Sequence, residues 1–502
     1  MDHIKTIEID GKSLSIDLVH DIAHHKHYHL VLSVEAKTAI LKSRKAVEDI
    51  IKAGKIVYGL NTGFGSLKDK SIDQTQLEEL QENLIRSHAA GVGSPFSEAE
   101  VRAAILIRAN SLANGHSGVR LELVEKFLEI LNKGIYPYIP ERGSCGASGD
   151  LAPLSHLALV IMGEGELIVN GVRKNTKEAI YAYDFTPLKL QAKEGLALNN
   201  GTAFLTAVAS LNVYNAKNIV HWADKSLALS LEGMRGTLTA FDNRVHEIRP
   251  HKGQIETARI IRELCEGSQL VGPDNGYNSV QDSYSLRCSP QVHGPVKQML
   301  EYVTSVVEVE LNSVTDNPLV FPESGDIISG GNFHGEPIGL VMDSLSIALT
   351  ELANISERRT AKFMDSNHNN GLPPYLIGTH QTGLNSGFMI LQYTAAAMLA
   401  EIKVLAHPVV IDSIPTSANQ EDYVSFATTA SRKCRDIIEM VYQIITIELI
   451  CAAQAVDIRN PLKPGFGTQQ IHNEIRQVVP FFEKDSVFYP YMESLSKTIK
   501  SK

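Results

Sequence analysis

The sequence predicts a mainly α-helical fold, a long central helical bundle with a mixed α/β N-terminal lobe. Long stretches of the second half repeat their apolar residues at helical spacing, whereas strand-and-turn signals gather near the N-terminus. Taken in order, Ile7-Glu8-Ile9-Asp10-Gly11-Lys12 reads as a short strand entering a turn, and an amphipathic helix starts near Ser33 and stops at Gly54. Another helix is expected after Asp150, a capping residue: Leu151, Leu154, Leu157, Ala158 and Ile161 share an apolar face, and a first turn tolerates Pro153. Met299, Leu300, Val303, Val306, Val307 and Leu311 then repeat at helical spacing, as do Ile338, Val341, Met342, Leu345, Leu349 and Leu352. Similar patterns run over about 384–406 and 424–455. Helices of this length pack as bundles, and apolar faces this broad point to burial against other subunits, hence a homo-oligomer. The expected division is a lobe over 1–195 and a bundle with a C-terminal helical region over 196–502. With no fixed-period repeat, low-complexity run or linker between them, one continuous globular unit is expected.

Composition narrows the function classes. The formal net charge is -10 with dispersed basic residues, which argues against a nucleic-acid footprint and a membrane-surface patch. Cys145, Cys265, Cys288, Cys434 and Cys451 are odd in number, far apart and never spaced C-x-x-C, so neither a disulfide framework nor a zinc site is expected. The first residues lack a charged-then-apolar signal, and no uncharged apolar run is long enough to cross a bilayer. A reducing cytoplasm is the expected setting.

The stretch Gly143-Ser144-Cys145-Gly146-Ala147-Ser148-Gly149-Asp150-Leu151 carries the most chemistry. A nucleophile elbow is excluded because Asp150 stands where its last glycine should be, and the surroundings of Cys145 lack a papain-like signature. A Gly-rich loop before a helix is the bland alternative. Ala147-Ser148-Gly149 nevertheless permits another reaction, in which the Gly149 amide nitrogen reaches the Ala147 carbonyl carbon, an approach that glycine alone allows sterically. Loss of one water closes a five-membered ring, and loss of the Ser148 hydroxyl as a second leaves a 4-methylidene-imidazol-5-one, an electrophile able to accept an amine. The following helix would set its positive end beside that ring.

A second loop, Val57-Tyr58-Gly59-Leu60-Asn61-Thr62-Gly63-Phe64-Gly65, matches neither a phosphate loop nor a dinucleotide fingerprint. Tyr58 alone would be read as a packed ring. Beside a ring-forming triplet it becomes a candidate base, its pKa lowered by positive helix ends. His20, His24, His25, His27 and His29 cluster near the N-terminus; without acidic or thiolate companions a solvated surface segment is expected rather than a metal site.

These blocks, together with Ser87-His88-Ala89-Ala90-Gly91, Asn200-Gly201-Thr202, Gln281-Asp282-Ser283-Tyr284-Ser285-Leu286-Arg287-Cys288, Gly330-Gly331-Asn332-Phe333-His334 and Ser417-Ala418-Asn419-Gln420-Glu421-Asp422, span nearly the whole chain. In them the chain resembles the histidine ammonia-lyase branch of the aromatic amino acid lyases. The resemblance implies a homotetramer whose active sites each draw residues from three subunits, and non-oxidative removal of ammonia from L-histidine to give trans-urocanate, the first step of histidine degradation. It implies no external cofactor, only the ring from Ala147-Ser148-Gly149. Tyr58 then corresponds to the β-proton base and Arg287 to the guanidinium that fixes the substrate carboxylate. Asn200 holds the carboxylate and the electrophile, Gln281 and Tyr284 order the ring and its surroundings, and Phe333 walls the site. The resemblance leaves open whether the substrate adds through its amine or its imidazole.

His88 and Glu421 match positions that face the imidazole in histidine lyases, and a carboxylate there accepts an N–H or stabilises the cation. Phenylalanine and tyrosine lyases typically carry glutamine at the position of Glu421. Tyr423 replaces a usual histidine, His293 a usual methionine and Asn199 a usual leucine, and Cys145 adjoins the triplet. The competing readings are a tyrosine or phenylalanine lyase, an aminomutase using the same electrophile, and a catalytically silent helical scaffold.

Overall fold

The computed structural model describes residues 4–54, 57, 59–60, 62, 72–73, 76–271, 280–378 and 383–501. It is mainly helical, and its strands form four two-stranded sheets among the described residues. The chain opens with β1 (Lys5–Ile9), α1 (Ile16–His24) and β2 (Tyr28–Leu32), the two strands pairing in parallel from Lys5 opposite Tyr28 to Ile9 opposite Leu32. Next come α2 (Val34–Lys52), α3 (Leu77–His88), β3 (Val92–Pro95), α4 (Glu98–Ala113), α5 (Leu121–Asn132) and β4 (Pro140–Arg142), then α6 (Leu151–Ile161), β5 (Glu166–Val169) and β6 (Val172–Asn175). The short α7 (Thr176–Ala179) and α8 (Glu194–Asn199) lead to α9 (Ala203–Gly233), and α10 (Asn243–Glu247), α11 (Lys252–Leu264) and α12 (Tyr284–Arg287) precede α13 (Ser289–Leu311). After the β7 (Leu319–Phe321) and β8 (Asp326–Ile328) hairpin come α14 (Glu336–Met364), α15 (Met389–Leu405), α16 (Ala427–Ile458), α17 (Phe466–Arg476) and α18 (Tyr489–Lys500).

Two compact units emerge, each from interleaved segments. One contains residues 1–214, 304–343 and 408–432, the other 215–303, 344–407 and 433–502. In the first unit the expected N-terminal strand and the helix from Ser33 form, with the Ser33 hydroxyl accepting from the Ala36 N–H as a cap. At its centre lies α4, whose residues are buried on almost every face. A helix enclosed on all sides must partner its polar side chains inside the protein. Arg102 does so by donating to the carbonyls of Ile22 and Ala23, unsatisfied groups at the end of α1.

The second unit holds the bundle. Glu448 of α16 accepts from the hydroxyls of Ser230 on α9 and Ser356 on α14, each at 2.6 Å, and from the Arg359 guanidinium, whose Nη2 stands 2.9 Å away. Burial by itself would push this carboxyl up; Arg359 and the serines hold it below the usual range. In the same unit, His293 of α13 pairs with Asp224 of α9 at 2.9 Å, and Lys297 meets the other Asp224 oxygen at 2.7 Å. Of the described helices, α14 is long and apolar enough to cross a membrane, and 67% of its most apolar window is buried within the protein, as in a core helix.

His24, His25 and His29 are exposed, as expected for a surface segment, but His20 is half-buried, stacked on Tyr214 with ring centroids 3.5 Å apart. Burial and the neighbouring His24 pull its pKa down to about 4. No cluster suited to a metal ion occurs among the described residues.

Removing one partner of the Arg359–Glu448 pair strands a charge in the interior. Glu448→Ala is expected to cost about 3–5 kcal/mol, read as a drop of several degrees in thermal midpoint by calorimetry; an unchanged midpoint would show that the pair is not buried in solution.

Candidate active site

A cavity of about 780 Å³ opens in the first unit, lined by Ala147, Ser148, His88, Asn200, Phe333 and Glu421 among others. Six of the residues singled out from sequence thus meet in space. Gly149 lies directly behind, buried, with φ at +73°. Tyr58 lies outside the described residues, although Thr62 of the same loop lines the cavity. Gln281, Tyr284 and Arg287 belong to the second unit and are not among the lining residues. There the Arg287 guanidinium stacks over the Tyr284 ring at 4.5 Å and its Nε donates to the Asp282 carbonyl, while Tyr284 is 69% exposed.

The loop bearing Ala147-Ser148-Gly149 is gripped from both sides. On one side Phe426 N–H donates to Cys145 O at 2.8 Å and the Ser425 hydroxyl to Gly146 O at 3.1 Å. On the other, residues 148–150 pair in parallel with Gly201: Gly201 N–H donates to Ser148 O at 3.3 Å, and Asp150 N–H donates to Gly201 O at 2.7 Å. The approach is so close that a Cβ on Gly149 would stand 2.0 Å from the Gly201 carbonyl oxygen. Only glycine can occupy that position.

Asp150 departs from its expected role. It precedes α6, but its side chain makes no capping bond there. Its carboxylate instead accepts from the Leu205 N–H in the first turn of α9 at 2.8 Å, and from the Thr428 hydroxyl at 2.7 Å and Ser144 hydroxyl at 3.2 Å. One carboxylate therefore caps a helix distant in sequence and ties it to the triplet's loop. Burial pushes its pKa up to about 6 against the lowering effect of these donors.

The cavity wall offers donors and acceptors suited to a small polar ligand. His88 sits at the end of α3 with Nδ1 2.9 Å from Leu84 O. A carbonyl can only accept, so Nδ1 is the donating nitrogen in that bond and Nε2 is left for another partner. Asn200 donates through Nδ2 to Asn317 O at 3.2 Å, while its buried Oδ1 has no partner among the described residues. Glu421 is half-buried after a turn in which Ser417, Ala418 and Asn419 are all left-handed, with φ of +49°, +52° and +63°. Non-glycine residues adopt that conformation at a cost, and such strain collects at functional sites. Burial and Glu421 both raise the Cys145 thiol pKa, which keeps the thiol protonated.

Two of the four sequence departures face this cavity. Tyr423 stacks on His334, centroids 5.8 Å apart, and Asn199 lines the wall while donating to the Ser155 hydroxyl at 3.2 Å. Sequence reasoning did not single out Asn317, Thr428 or Arg108. Arg108 had a signal, a cation directly after the apolar run Ala103-Ala104-Ile105-Leu106-Ile107 of α4; the other two had none.

Because the folded Asp150 carboxyl holds its proton more tightly than the unfolded chain's, about 6 against 3.8, its stabilising contribution is full below about 3.8 and is lost as pH rises through about 6. Asp150→Asn has no such titration. The difference in melting temperature, variant minus wild type, should therefore rise as pH goes from about 3.8 to about 6 and level off above that; a difference independent of pH would refute the assignment.

The aromatic amino acid lyase family matches residues 14–477. The chain is 49% identical to the histidine ammonia-lyase of Caldanaerobacter subterraneus subsp. tengcongensis over 498 residues, 99% of this chain and 97% of that protein. Among solved structures, that of histidine ammonia-lyase from Trypanosoma cruzi matches with a TM-score of 0.92 at 41% identity, covering 99% of this chain and 93% of that one. A tyrosine aminomutase from Streptomyces globisporus matches with a TM-score of 0.93 at 35% identity, covering 99% and 97%. A polar cavity built on an Ala-Ser-Gly loop and full-length likeness at this level lead to one assignment: the chain belongs to the aromatic amino acid lyase family.

Proposed function

We propose that the protein is a histidine ammonia-lyase, which removes ammonia non-oxidatively from L-histidine to give trans-urocanate. The observation that carries this reading is the presence of Glu421 and His88 on the wall of the cavity that Ala147 and Ser148 line. A carboxylate that must be desolvated by a ligand is costly beside a phenyl ring and favourable beside an imidazole N–H. His88 Nε2 supplies a second partner on the same wall.

Ala147, Ser148 and Gly149 fit a 4-methylidene-imidazol-5-one made from their own backbone. The Gly201 carbonyl closes position 149 to any Cβ and so keeps glycine at the ring-forming nitrogen, and the Asn200 Oδ1, without a partner among the described residues, calls for a donor close by. When formed, this group supplies an electrophile that makes the amine nitrogen a better leaving group. The chain's own residues do the remaining work. Gly201 N–H, which donates to Ser148 O, holds the carbonyl that the ring would retain. Tyr58 takes the β-proton, Phe333 walls the ring of the substrate, and Asn200 holds the substrate carboxylate and the electrophile.

Gln281, Tyr284 and Arg287 complete the site from a neighbouring copy in a homotetramer, Arg287 binding the carboxylate as a charge-assisted fork. Exposed apolar side chains on the long helices, Val309, Leu340 and Ile347 among them, fit an assembly that covers them. All five cysteines are unbridged, which suits a reducing cytoplasm.

Purified protein given L-histidine should release urocanate; cinnamate, coumarate or a β-amino acid from other substrates, with no urocanate, would replace this reading with a related lyase or aminomutase. Glu421→Gln is expected to lower kcat/KM for histidine by about a hundredfold, equivalent to about 3 kcal/mol, while the protein keeps its mass deficit of two waters. Tyr58→Phe should lose turnover and keep the same deficit. Full activity in either variant would remove the role assigned to that residue.

A further inference from the structure

We propose that Arg108, remote from every motif that pointed to the chemistry, is the positioning residue for closure of the Ala147-Ser148-Gly149 ring, clamping the turn that ends in Gly201 against the triplet. This rests on the ring formation proposed above and asks which buried group brings it about.

The Arg108 side chain is fully buried in α4. Its Nη2 donates to the carbonyls of Ala197 and Asn200, the latter at 2.9 Å, and so closes the C-terminal end of α8, the negative end of that helix. Among the described residues Nε and Nη1 have no partner. The carboxylate of Asp316 is taken by a second buried cation, Lys193, at 2.7 Å. A buried guanidinium with two idle nitrogens and a shared counter-charge is expensive to keep. Methionine would fill much of the same volume without that cost, so the two carbonyl bonds and the position they enforce need a use.

That use is visible in the contacts of Gly201. A Cβ there would stand 2.3 Å from Arg108 Nη1 and 2.9 Å from Thr315 Oγ1, so the guanidinium lies directly against the Gly201 backbone. On its other side the Gly201 carbonyl lies against Gly149, and the Gly201 peptide bonds to both Ser148 O and Asp150 N. Arg108, Gly201 and Gly149 form a stack, and pressure at one end limits where the other can go.

Closure depends on such limits. The Gly149 nitrogen bonds to the Ala147 carbonyl carbon and gives its proton to that oxygen, which leaves as water with the Ser148 amide proton. The Ser148 hydroxyl then leaves as a second water with the Ser148 Cα proton. No oxidant or outside reactant enters. The first step is an intramolecular addition by a weak nucleophile, and its rate follows the fraction of time the triplet spends in near-attack geometry. Releasing Ala197 and Asn200 from Arg108 frees the Gly201 backing and lowers that fraction.

The test uses the full chain newly made by cell-free translation, followed by intact mass with time, with the folded fraction measured by circular dichroism and resistance to protease. Wild type is expected to lose two waters, with Ser148→Ala as the uncyclised control. Among folded molecules, Arg108→Met should cyclise at least tenfold more slowly. Arg108→Lys, which restores a donor and a charge but not the planar group lying against Gly201, should recover part of the rate. Gly201→Ala, which wedges a methyl group between Arg108 and the turn, should slow closure with Arg108 intact. A folded Arg108→Met or Arg108→Lys chain that cyclises at the wild-type rate overturns the proposal. So does failure of both to fold, since Arg108 would then be structural. A wild-type chain that keeps its full mass would instead refute the ring itself.

Discussion

Two glycines meet back to back behind the cavity, and the arrangement of the site depends on that contact. Gly149 and Gly201 approach to a distance at which neither tolerates a side chain. Their pairing is a single parallel bridge between segments some fifty residues apart in sequence, with donors on both sides of it. Part of the cavity wall is hung from these two strands of backbone. Ser148 projects from one, Asn200 precedes the bridge on the other, and α6 and α9 start immediately after each. Both helices thus start beside the same bridge, and the Asp150 carboxylate between them accepts from the first turn of α9.

The bridge is held by buried charges used in one consistent way. Arg102 closes the C-terminal end of α1, Arg108 the end of α8, and Asp150 the beginning of α9, each from an element distant in sequence. A helix end capped by a neighbouring residue is stable by itself but is not located in space. When the cap comes from another element, satisfying the orphan backbone groups also fixes where the helix begins or ends. The raised pKa of Asp150 measures the cost of this device, since an ionised carboxylate is held where water cannot reach it.

The parts of this design that are periodic or local were legible in the sequence. The long helices, the Ser33 cap and the opening strand follow from spacing and from a hydroxyl acting on its own helix. The triplet was legible because its chemistry requires particular residue types in immediate succession. Partnerships across the fold were not. Asp150 before a helix reads as that helix's cap, and nothing local reveals that its carboxylate points to Leu205 and Thr428. The histidine-rich segment reads as wholly solvated, and only the packing of α1 shows that Tyr214 covers His20. Of the residues singled out for the site, His88, Ala147, Ser148, Asn200, Phe333 and Glu421 share the cavity wall, which spacing alone could not establish for positions this far apart.

The residues that do not share it carry the remaining argument. On the proposed reading, recognition of the imidazole falls to His88 and Glu421 in the unit that holds the triplet, while recognition of the carboxylate falls to Arg287 in the other. A tyrosine left 69% exposed beneath a stacked guanidinium is a poor arrangement for a surface meeting only water, since a large apolar ring and a cation that could bind a carboxylate both go unused. The same pair presented to a neighbour's cavity uses both. On that reading a single chain carries the ring and the residues that face the imidazole, and the guanidinium that orients the amino acid comes from a second copy.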